Sequence, residues 1–138
     1  MVSEKIKETI RVKKEIKYKF LKLVFLVLLI TVIATFIDWI VHSLRPEFYV
    51  DFEYYRNKVI FSVLWGVVVL FVIKKIKLTK NINVKALIFS AFIAVVLQVK
   101  YFLLGYDLFF VILFLFLHFF MFLIPALIIF NKFKEIFG

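Results

Sequence analysis

The chain has 138 residues, of which 65% are hydrophobic and 20% charged, with a mean hydropathy of +1.06, three Gly, two Pro and no Cys. Soluble domains are about half apolar, so this composition points to a bilayer. The missing cysteines exclude a disulfide scaffold, a thiolate metal site and a Cys nucleophile. The net charge of +10 reads first as membrane topology, and no nucleic-acid partner is expected.

Residues 1–19 form a basic arm in which Lys5, Lys7, Arg11, Lys13, Lys14, Lys17 and Lys19 outnumber Glu4, Glu8 and Glu15. Ile6, Ile10, Ile16 and Phe20 recur at near-helical spacing, so the arm is expected to be an amphipathic helix. Ser3 is its expected cap, and anionic lipid headgroups are its expected partner. Its charged stretch is too long for a cleavable signal peptide, so it is expected to stay attached.

Four apolar segments follow, at residues 20–42, 57–73, 84–104 and 108–130. A hydrocarbon core about 30 Å thick takes about 20 helical residues per crossing. The second segment is short, and extending it back through Tyr55 and Arg56, whose tips can snorkel, gives it crossing length. Backbone groups in lipid must be paired within the segment, and the alternation of a barrel strand is missing. The expected fold is therefore all-α: one domain of four transmembrane helices. Between the first two spans Phe48, Phe52 and Tyr55 fall at i, i+4 and i+7 behind Pro46, which predicts a short interfacial helix over 46–56. Gly105-Tyr106-Asp107 reads as a tight turn joining the last two spans.

With both termini inside, fifteen of the nineteen basic residues lie on the inner side. Arg45, Arg56, Lys58 and Lys100 are left outside with Asp38, Glu47, Asp51, Glu53 and Asp107, a net of −1. The positive-inside rule then gives an N-in, C-in chain, expected in the plasma membrane. Trp39, Tyr49, Tyr54, Tyr55, Tyr101 and Tyr106 gather at the outer interface, where amphipathic rings settle.

Thr31, Thr35, Asp38 and His42 occupy one face of the first span that turns polar towards its outer end. An ionisable group in hydrocarbon needs a partner. Lys100, at similar depth on the third span, is the expected partner of Asp38. The bland alternative is that both snorkel. His118 lies about ten residues into the fourth span among aromatic neighbours. There a neutral imidazole is either a cross-helix donor or part of a proton relay. By helical rise His42 lies about 15 Å shallower, so one metal shared by both histidines is not expected. An outer-rim metal site from Asp38, His42, Glu47 and Asp51 lacks any recognisable ligand spacing. No metal, no cofactor and no catalytic residue are assigned.

Ala86, Ser90, Ala94 and Gln98 repeat every four residues on the third span, and Ser62 with Gly66 repeats the pattern on the second. These are close-packing faces, available for a homodimer or a membrane partner. Gln98 is placed to bond across helices. Pro125 should bend the fourth span. In size, four spans and inward termini the layout resembles the GtrA-like family of polyprenyl-phosphate-sugar carriers. The Asn-Arg-aromatic signature of that family is met only loosely by Lys74-Lys75 and Asn131-Lys132, so no residue role is carried over.

Three function classes follow. A non-enzymatic accessory or scaffold subunit needs only packing faces and a partner. A small dimeric transporter or lipid flippase needs a polar route, for which Asp38, His42, Gln98, Lys100 and His118 are the candidates. A lipid-modifying enzyme needs reactive groups clustered at one depth. The accessory reading asks least of this sequence.

Overall fold

A computed structural model describes all 138 residues as helices and turns. Helix α1 runs Val2–Ser43, α2 Phe52–Lys75, α3 Ile82–Leu103, α4 Leu108–Lys132 and the single turn α5 Lys134–Phe137. The first four are each long and apolar enough to cross a membrane. Helix α1 packs on α2 and α4, and α3 packs on both of them, closing a four-helix ring.

The 42 residues of α1 make a rod about 60 Å long, twice the hydrocarbon thickness. Residues 2–21 of it are all exposed, and its buried face begins at Leu26. The arm therefore leaves the bundle as a continuation of the first span. Ser3 does not cap it, since the helix already starts at Val2 and Met1 holds the cap position without a side-chain bond.

The expected helix over 46–56 does not form. Pro46–Phe48 makes one 3-10 turn, the chain then extends, and α2 starts at Phe52. The reason is local. The Asp51 carboxylate accepts from the Tyr54 amide at 3.1 Å, so a helix begins there, and residues before it cannot share that helix axis. Helix α2 thus starts five residues before its expected 57–73 span, and Lys58 moves from the interface to about 9 Å inside the helix.

Close approach of backbones sets the packing. A Cβ on Gly66 would stand 2.9 Å from Val27 Cγ1, 3.0 Å from Phe89 Cε2 and 3.3 Å from Ile93 Cδ1. Ala86, Ser90 and Ala94 of α3 are buried, and Ser62 of α2 is fully buried. Both small-residue faces are buried between helices of this one chain. Gly105 takes a φ of +88° in the α3–α4 turn, and Asp107 caps α4 by accepting from the Phe109 amide at 3.0 Å. Helix α4 continues through the buried Pro125. At the opposite end, α5 folds back so that Phe137 stacks on Phe130 with centroids 4.0 Å apart.

Candidate functional site

Every helix of the ring sends polar side chains to one place in the half of the bundle near the 46–51 connection. Asp38 comes from α1 and Lys58 from α2; both are fully buried, with Nζ donating to Oδ2 at 2.6 Å. Each charge alone would cost about 2.5–3.5 kcal/mol in the hydrocarbon, so each supplies what makes the other tolerable. The Lys58 ammonium also lies 5.8 Å from the Phe122 ring centre.

The second carboxylate oxygen faces two imidazoles. His118 Nε2 is 3.3 Å and His42 Nε2 is 3.4 Å from Asp38 Oδ1. Gln98 of α3 donates its amide to His118 Nδ1 at 2.5 Å, which leaves the His118 proton on Nε2, towards Asp38. His42 is placed differently, since its Nδ1 donates to the Phe48 carbonyl. It alone has an oxygen opposite both ring nitrogens. Through that bond the 3-10 turn is tied over one end of the cluster.

Aromatic rings wall the site. Phe114 stacks on His42 at 4.7 Å and Tyr54 on Tyr101 at 5.0 Å. Tyr106, on the turn outside, has its phenol pushed above its ordinary value by burial and secondly by the Asp51 carboxylate. Within the wall the hydroxyls of Thr35, Tyr54, Ser62 and Tyr101 and the Gln98 carbonyl lack protein partners. Towards the other end the lining is mostly apolar. Val27, Ile30, Phe89, Ile93, Phe122 and Phe130 are all buried to 1% exposure or less, and the polar groups buried among them are the hydroxyls of Thr31, which donates to the Val27 carbonyl at 2.9 Å, and of Ser90.

Four of the five expected polar residues, Asp38, His42, Gln98 and His118, meet here. Lys100 does not. Its ammonium sits 4.7 Å over the Phe61 ring on the outer flank of α3, and Asp38 is paired with Lys58 instead. The expected pairing failed because a span starting at residue 57 leaves Lys58 at the interface, counted with the outside charges, whereas the start at Phe52 carries it into the bundle. A signal was present: Tyr54, Lys58, Ser62 and Gly66 fall at i, i+4, i+8 and i+12, one continuous polar-to-small face.

The depth assigned to the two histidines also needs correction. Both reach the same Asp38 oxygen, although His42 is one residue from the end of α1 and His118 is ten residues into α4, so the neighbouring ends of those helices are not level. No group of His and acidic residues is placed to hold a metal ion. Glu47 pairs with Arg45 at 3.6 Å on the surface, and Asp51 is used as the α2 cap. No protein-family model, curated protein or solved structure matches this chain.

Proposed function

We propose that this is a small non-enzymatic membrane protein, an accessory or scaffold subunit that binds other components within the bilayer, with both termini on the cytoplasmic side of the plasma membrane. The observation that supports it most is the closed interior. The charges neutralise one another inside the ring, and apolar side chains fill the other half, so the cluster holds four helices in one arrangement and leaves no polar passage across. A buried ionic group is best attested as a device that fixes one packing among several.

The charge balance on which that orientation rests is unchanged by the revised position of Lys58. Asp38 and Lys58 leave the outer count together and the outside keeps its net of −1. Photo-crosslinking residues placed at lipid-facing positions such as Leu64, Val95 and Phe116 test the scaffold reading in native membranes. One discrete protein adduct, confined to positions on one side of the bundle, is expected; adducts with lipid alone at every position would overturn it.

A second reading, a dimeric transporter or flippase, is favoured by one observation, the meeting of Asp38, His42, Gln98 and His118 in a single buried cluster. Intramembrane ionisable groups often mark transport routes. That reading requires the apolar half to open, and Lys100 plays no part in it.

A further inference from the structure

His42 is the one imidazole whose two nitrogens both face oxygens that only accept. Its Nδ1 donates to the Phe48 carbonyl, and its Nε2 lies 3.4 Å from Asp38 Oδ1. A neutral imidazole carries one N–H, so it serves one of these oxygens and turns a lone pair on the other. In a buried site of low dielectric two facing acceptors repel. An imidazole with two protons donates to both. His118 has no such need, because the Gln98 amide fills its Nδ1 and its one proton serves Asp38. The extra proton belongs to the His42 ring, since the carboxylate already accepts from Lys58 and from His118.

The same ring makes the only hydrogen bond between residues 45–50 and the rest of the chain. Inside that segment the Phe48 and Tyr49 amides bond back to the Arg45 and Pro46 carbonyls, and only Phe48 and Val50 are half-buried. We propose that His42 is a proton-operated latch: with two protons it clamps residues 45–50 onto the bundle, and with one it keeps Asp38 and releases them. Asp38 is the oxygen kept, because a bond to a carboxylate is stronger than one to a neutral carbonyl. The clamped state holds one proton more than the released state, so falling pH favours it and rising pH undoes it. The groups around the ring are few. On α1 Asp38 attracts the added charge. From α2 Lys58, on the other oxygen of that carboxylate, opposes it, and Tyr54 and Tyr55 stand edge to face with the ring. From α4 His118 shares the Asp38 oxygen, and Phe114 offers its face at 4.7 Å, which suits a cation. In the segment itself Glu47 and Arg45 pair with each other at 3.6 Å. The Asp38–Lys58 pair stays in both states, so the interior remains closed, and the latch goes beyond the scaffold reading without depending on it.

The chain has no cysteine, so Tyr49→Cys, at an exposed position, takes a single spin label. Electron paramagnetic resonance of the full chain in a neutral detergent follows the segment between about pH 5 and pH 8, the range in which imidazoles change charge. The label should be held at the acid end and mobile at the other, reversibly, with the ratio of the two signals changing about tenfold per pH unit, as one proton requires. His42→Phe should leave the label mobile throughout. Glu47→Gln, which removes the carboxylate of the segment, should keep the transition. Nitrogen-15 spectra of histidine-labelled protein should show two N–H groups on His42 wherever the label is held. A label whose mobility does not change with pH, a transition that survives in His42→Phe, or one that is lost in Glu47→Gln would each overturn the proposal. If His42→Phe fails to fold, the nitrogen-15 spectra decide: a His42 ring with one proton while the segment is held overturns the latch, and a ring that loses a proton at the transition sustains it.

Discussion

Replacing Asp38 by Asn and Lys58 by Met, singly and together, perturbs the cluster at its strongest contact. The two groups are fully buried and 2.6 Å apart, so either single change leaves a charge with no counter-ion of its own strength. Breaking such a pair costs about 3–5 kcal/mol, whereas replacing both partners by neutral groups is often neutral or stabilising. The surroundings make the two single changes unequal. In Lys58→Met the carboxylate keeps two imidazoles within 3.4 Å, one of which can take up a proton and stand in for the ammonium. In Asp38→Asn the ammonium keeps no acid at all. Asp38→Asn should therefore be the worse variant. The deficit of Lys58→Met should shrink on acidification, as an imidazole takes up a proton, and grow as pH rises. Thermal unfolding in detergent, followed by tryptophan fluorescence and size exclusion, reads all three proteins. A double variant that recovers most of the loss gives the coupling directly. Additive single effects, or a Lys58→Met deficit unchanged with pH, would refute the reasoning.

Gly66→Val should destabilise by about 1–3 kcal/mol, because its side chain meets Val27, Phe89 and Ile93 from two other helices, and the same assay reads the loss. Asp51→Ala should cost about 1 kcal/mol through the α2 cap, and Asp51→Asn should restore most of it. Cysteines at Ser3 and Val50 report the orientation in intact cells: labelling from outside at Val50 alone is expected, and labelling at Ser3 alone contradicts it. A peptide of residues 1–19 should gain helix on anionic vesicles and release with salt, while equal binding to neutral vesicles contradicts the electrostatic account.

Hydropathy and length made the four membrane-crossing helices legible in the sequence, because a bilayer leaves the backbone few alternatives. The polar face through Asp38 and His42 was legible for the same reason, and Gln98 and His118 stood out as polar groups in apolar runs. What sequence reading missed was the identity of the partner. Helix depth was measured from the ends of apolar runs, and in α2 the run is interrupted by Arg56, Asn57 and Lys58, so the helix seemed to begin where its core already lay. The Asp51 cap marks the true start, and it fixes Lys58 inside the ring. The burial of Lys85 was not legible either: α5 folds over it, and a four-residue turn carries no hydropathy signal strong enough to announce that.

Proton flux through the purified chain in proteoliposomes tests the closed interior most directly, with a pH-sensitive dye inside and a potassium diffusion potential as driving force. The closed cluster and the apolar half below it predict flux no faster than in protein-free vesicles, for the unaltered chain and for His118→Phe alike. Flux well above that background in the unaltered chain, abolished in a His118→Phe variant that folds and melts normally, would contradict the scaffold reading and make Asp38, His42, Gln98 and His118 parts of a conducting path.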